Sequence, residues 1–284
     1  MLKFILIIFL SINLSFSAKA QDFNLKLFDI RKEINRDDVK EALRLLGEIK
    51  VSNDIQQEKI DLLFGDIYLK INKPEKAIEF YEKAFMTSNS QTESLSELGL
   101  SEANLRKGNL SEAVSHAIKS VELDGDNLRS KIILAISLTR NGEKNEAFEI
   151  LENLYNNYKN SSEAVLAIAG YHSTFENNKK ALEILDKFLK KFPTSIGVMD
   201  ELGNLYWIEG NKEKALELKS KVYKYHEFNR NKLKIKETKE WILSIDPNYF
   251  DKKDVKKLKP KEKKEIQEEE VEKYDRRKKE TQFE

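Results

Sequence analysis

The feature that most constrains this chain is an alanine that returns at Ala42, Ala77, Ala113, Ala147, Ala181 and Ala215, with gaps of 35, 36, 34, 34 and 34 residues. A unit of that length cannot bury its own apolar face, so a sustained period means stacked copies of one supersecondary element. From the second alanine onward, each follows a short polar stretch carrying Asn72, Gly108, Gly142, Asn177 or Gly210. Asn and Gly tolerate the left-handed backbone that ends one helix and turns the chain into another.

Other positions hold the same phase. Twelve residues before the alanine stand Gly65, Ser101, Ala135, Ala169 and Gly203, all small. Nine before it stand Tyr68, Asn104, Leu138, His172 and Tyr206. Four after it come Leu46, Tyr81, Ala117, Leu151, Leu185 and Lys219, and seven after it Ile49, Ala84, Ser120, Leu154, Phe188 and Val222. Offsets of three, four and seven share one helical face, so these residues read as the packed side of a helix pair. The low content of turn formers, 10 Gly and 4 Pro in 284 residues, excludes a loop-rich sandwich or barrel.

The pattern resembles the tetratricopeptide repeat, a helix-turn-helix of about 34 residues. Gly203, Tyr206, Gly210 and Ala215 match that family's motif, as do Gly65, Tyr68, Ala77, Tyr81 and Ala84. Pro193 matches its repeat-ending proline, and Gly125 takes the place of that proline in another copy. Ile30 replaces the small residue of the first copy, Asn104 the aromatic of the third and Lys219 an apolar residue of the last. The resemblance implies an all-α, right-handed α-solenoid of about five to six repeats over 21–228, followed by a capping helix in 229–250. Leu233, Trp241 and Ile242 are expected to pack that cap.

The resemblance also implies that the first helix of each pair lines a concave groove for a peptide or helix. Projected by phase, that face carries Asp66, Lys70, Glu102, Arg106, Arg140, Asn204 and Trp207, together with Leu69, Leu105, Ile136, Gly170 and Ser173. The structural positions beside it are Gly65, Tyr68, Ala77, Ala113, Ala147, Ala181, Gly203, Tyr206 and Ala215. The family's clamp for an acidic carboxyl terminus needs Lys, Asn and Arg. Asp66 and Glu102 stand at two of its positions, so the expected ligand has mixed polar anchors instead.

Both ends differ from the middle. Met1–Ala20 has Lys3, an apolar run Phe4–Leu10 and small residues at Ala18 and Ala20, the three-part pattern of a cleaved secretory signal peptide. Cleavage after Ala20 and a bacterial periplasmic location follow as expectations. Residues 251–284 hold 13 Lys or Arg and 11 Asp or Glu with few apolar side chains, a composition that cannot offset the entropy of ordering. Within them Lys252–Lys264 carries a net charge of +6 and Glu265–Glu284 one of −3. The whole chain is near neutral at +1, which gives no reason to expect a nucleic-acid partner.

No Cys is present, so thiolate chemistry, disulfides and Cys-bound metal are excluded. His116, His172 and His226 stand far apart, and neither a phosphate loop nor a nucleophile motif occurs. No catalytic residue, metal or cofactor is expected. The sequence therefore predicts a non-catalytic interaction scaffold or adaptor in the cell envelope, binding a protein partner. The alternatives are a peripheral membrane adaptor that uses the Lys-rich tail and a regulator of a cell-wall enzyme complex.

Overall fold

The computed structural model describes residues 21–85 and 90–252. Residues 1–20, expected to be a signal peptide, and residues 253–284 of the charged tail lie outside the described residues. Within them the chain is helical, with no strand. Helix α1 spans 21–35 and α2 Val39–Gly47. The next pairs are α3 (Asp54–Lys70) with α4 (Pro74–Lys83), and α5 (Ser90–Lys107) with α6 (Leu110–Leu123). After them come α7 (Leu128–Asn141) with α8 (Lys144–Asn157), α9 (Ser162–Thr174) with α10 (Asn178–Lys191), and α11 (Ile196–Ile208) with α12 (Lys212–Phe228). Helix α13 (Lys232–Ile245) and a short α14 (Tyr249–Lys252) end the described chain. From α3 to α9, each first helix packs on its own second helix and also on the first helix of the next pair, and α11 packs on α12, which makes a solenoid of stacked repeats.

The turns between paired helices obey one rule. Asp37, Asn72, Gly108, Gly142, Glu176 and Gly210 all have positive φ, between 55° and 98°. Each lies five residues before its repeat's alanine, so the left-handed residue carries the same spacing as the alanine itself. In the fifth copy this residue is Glu176, not the Asn177 expected from composition. Asn177 instead begins the next helix, its side chain accepting a hydrogen bond from the Lys180 amide. Asn53, Asn127, Asn211 and Asn231 cap in the same way. The first pair shares the turn register through Asp37, although Ile30 fills its small-residue position. Phe23, Leu27, Ile30 and Ile34 form a buried stripe on α1 against Ala42 and Leu46.

All six in-phase alanines are fully buried at 0% exposure, where the two helices of a pair cross. Close approach is tightest around Tyr81. A Cβ built on Gly65 or on Gly99 would stand 2.4 Å from its ring carbons, so the ring is clamped between α3 and α5 and neither position has room for a methyl group. Lys219 occupies the equivalent position in the last repeat. Its stem lies against Gly203, only 4% of the residue is exposed, and its ammonium reaches Asp200 at 2.5 Å and the face of Trp241 at 4.7 Å.

The middle of the stack is polar where its neighbours are apolar. Ser120 holds the position of Ala84, Leu154 and Phe188, and it is buried. Its hydroxyl bonds the Ser94 carbonyl at 2.9 Å and lies 2.8 Å from Ser130 Oγ, while Ser101 donates to the Ala113 carbonyl at 2.8 Å. These hydroxyls are buried because they are paired.

The cap is longer than a single helix. Ile242 and Ile245 are buried and Trp241 packs on the C-terminal core, but Leu233 is exposed rather than packed. Tyr249, buried at the start of α14, stands 34 residues after Ala215, so this segment repeats the earlier phase.

Candidate partner-binding groove

The first helices α1, α3, α5, α7 and α9 bring charged side chains into one electrostatic field. Tyr81 Oη donates to Asp66 Oδ1 at 2.8 Å. Asp66 stays accessible to water while protein atoms surround it closely. Burial pushes its carboxyl above the ordinary value of 3.8, and the charge of Glu102 adds to that. The Tyr81 hydrogen bond and the charges of Arg129 and Arg31 oppose it. The Tyr81 hydroxyl is held well above its own ordinary value, first by burial and then by Asp66. Glu102 accepts from Arg129 Nε at 2.9 Å and from Nη2 at 3.0 Å, a bidentate bridge from α5 to α7. Glu163 on α9 extends the series through its charge on Arg129.

The other projected residues are placed differently. Lys70 is engaged in an ion pair with Asp37 at 2.8 Å, whereas Arg106 and Arg140 are exposed. Asn204 bonds Glu201 at 3.2 Å. Trp207 is 43% exposed and meets Trp241 edge-on, ring centres 6.4 Å apart. Gly170 opens onto space, since a Cβ there would meet nothing within 4 Å. Ser173 is tied to Asn178 at 3.1 Å, and Ile136 packs beside Ile132 and Leu154. Leu69 and Leu105 are buried and offer no open wall, Leu69 in the apolar cluster that also holds Leu100 and Ala103 of α5. Of the structural positions, Gly65, Gly203 and Tyr206 are buried and Tyr68 is partly buried, stacked on Phe80 at 5.3 Å.

Arg31, Arg129 and Glu163 belong to the charged series but were not projected from the sequence. A signal for two of them existed. Arg129 and Glu163 each lie 18 residues before their alanine, seven before the phase of Asp66, and seven residues return to the same helical face.

Two of the histidines have partners of their own. His116 Nδ1 lies 2.5 Å from Glu97 Oε2. His172 packs beside Phe148 and Tyr171, where burial, and then the charge of Lys180, lowers its pKa. Among the described residues no cluster of His, Asp or Glu is arranged to hold a metal, and no helix is long and apolar enough to cross a membrane.

Comparison with known proteins bears on the stacked pairs. The tetratricopeptide-repeat pattern matches residues 62–90, which hold most of α3 and all of α4, and residues 132–161, which hold most of α7 and all of α8. The chain carries tetratricopeptide repeats. Among solved structures it is similar to TTC0263, a thermophilic tetratricopeptide-repeat protein of Thermus thermophilus, at 16% identity with a TM-score of 0.55. That match covers 66% of this chain and 98% of the other. A tetratricopeptide-repeat protein from Parabacteroides merdae is similar at 13% identity and a TM-score of 0.48, over 79% of this chain and 97% of its own. YrrB, described as a tetratricopeptide-repeat protein with an unusual peptide-binding site, is similar at 20% identity and a TM-score of 0.37, over 63% and 91%. No curated protein matches the sequence. These repeats support a protein-interaction scaffold, a class of fold that is typically non-catalytic.

Proposed function

We propose that the protein binds a peptide or helix of a protein partner along its first-helix face, as an adaptor in the bacterial cell envelope. The observation that carries the reading is the charged series of Arg31, Asp66, Glu102, Arg129 and Glu163, which five successive first helices supply to one surface. Charges of both signs set the register of an extended ligand, and Trp207 adds an exposed aromatic anchor toward the other end. The envelope location is supported by the composition of Met1–Ala20. Affinity capture from envelope extracts with the wild-type chain, Asp66→Lys and Trp207→Ala tests the reading. A specific partner retained by the wild type and lost by either variant supports it, and equal capture by all three counts against it.

A second reading, a peripheral membrane adaptor, is favoured by the net charge of +6 in Lys252–Lys264. It predicts salt-sensitive binding to anionic vesicles that is abolished when residues 251–284 are removed.

A further inference from the structure

Stacked repeats touch only their sequence neighbours, so a linear solenoid has two free ends. Here the ends meet. Asn231, between α12 and α13, donates from Nδ2 to Asp37 Oδ2 at 2.7 Å across 194 residues of sequence. The other carboxylate oxygen of Asp37 accepts from Lys70 Nζ at 2.8 Å, so one side chain ties the first and second helix pairs to the turn between α12 and α13. Each partner is held in place locally. Asp37 is the left-handed turn residue of the first pair, with φ 60°. Asn231 is buried, and its Oδ1 accepts from the Lys234 amide at 3.1 Å as the cap of α13, which fixes the amide so that its NH2 points at Asp37. The Asp37 side chain is only 5% exposed in this arrangement, which is unusual for a carboxylate in a surface turn.

We infer that Asp37, Lys70 and Asn231 form a clasp that closes the solenoid on itself, and that a chain-like partner reaches the first-helix face by release of this clasp. Three features favour a releasable contact over a permanent interface. It is polar throughout, it joins two turns and a helix end rather than packed helix faces, and it uses side chains whose removal leaves both end pairs packed on their own neighbours. A partner that binds only the open form then binds with an affinity reduced by the open fraction, so weakening the clasp raises its apparent affinity. The clasp does not depend on which ligand the face takes.

The absence of Cys permits a direct test in the full chain. Spin labels on Lys40→Cys, in α2, and Lys232→Cys, in α13, read the distance between the ends, since both positions are exposed. Asp37→Gly removes the carboxylate and keeps the left-handed turn, and its helical circular dichroism should equal that of the parent. One narrow short-distance population is expected in the parent and a broad, longer distribution in Asp37→Gly. A broad distribution in the parent, or identical distributions in both, overturns the clasp. Access is read separately with Gly170→Cys, placed where a Cβ meets open space. A small maleimide should label it equally in both backgrounds, and a maleimide on a bulky polymer should react several-fold faster with Asp37→Gly. Equal rates for the bulky reagent overturn the gating role.

Discussion

Tyr81 and Asp66 are joined by a 2.8 Å hydrogen bond from phenol to carboxylate, and the two side chains do opposite work. The ring of Tyr81 fills the crossing of α3 and α5, while its hydroxyl steadies a charge on the proposed binding face. Tyr81→Phe keeps the ring and removes the donor. Loss of a hydrogen bond that favours the charged carboxylate should raise the midpoint of Asp66 further, at a stability cost of about 1 kcal/mol. NMR titration of the Asp66 carboxyl together with urea unfolding checks both, and an unchanged or lower midpoint contradicts the assignment.

Asp66 also predicts a pH dependence. Its folded value lies above the 3.8 of an ordinary Asp, so the folded state binds the proton more tightly than the unfolded chain. The resulting contribution is fully present below pH 3.8 and is lost as pH rises through the folded value. Asp66→Asn removes the titration and still accepts from Tyr81. Its Tm should exceed that of the wild type near neutral pH, and the difference should shrink as pH falls toward 3.8. A difference that grows on acidification would reverse the sign.

Gly99 and Gly65 should both refuse a methyl group. Alanine would gain about 1 kcal/mol of helix propensity in either helix. The Cβ would overlap a clamped aromatic ring at 2.4 Å, and overpacking of this kind costs about 1–3 kcal/mol. Gly99→Ala should therefore be net destabilising in the Tyr81 background and stabilising in a Tyr81→Leu background. Denaturant midpoints of the four proteins give the coupling directly, and additive effects would show that the ring does not set the spacing.

The Lys219–Asp200 pair should respond asymmetrically. Asp200→Ala leaves a nearly buried ammonium without its carboxylate and should cost about 1–3 kcal/mol. Lys219→Leu restores the residue type that Leu151 and Leu185 supply in the same phase and leaves only a half-exposed carboxylate behind, so it should be neutral or stabilising. Urea unfolding that ranks the two variants the other way would contradict this account.

Ala147 lies at the crossing of α7 and α8, against Val114 and Leu138. Ala147→Glu places an unpaired charge at a position of 0% exposure and should cost several kcal/mol, or melt that pair locally. A melting curve equal to that of the wild type would show that the repeat register is misplaced.

The repeat itself was legible in the sequence. Ala42 to Ala215 mark helix crossings, and Asn72, Gly108, Gly142 and Gly210 mark turns, because both depend on contacts within one or two neighbouring helices. The candidate face was legible in part. Phase projected Asp66, Trp207, Leu69 and Leu105 onto it alike, yet Asp66 and Trp207 are exposed while Leu69 and Leu105 are buried, a difference that a single helix's periodicity does not carry. The spacing that brings Gly99 of one pair onto Tyr81 of another also lies outside any local pattern. The contact of Asp37 with Asn231 is the extreme case. It depends on the small rotation between successive repeats summed over the whole stack, and no single repeat encodes that sum. Local periodicity thus determined the unit and its register, while the accumulated curvature of the solenoid decided which distant residues meet.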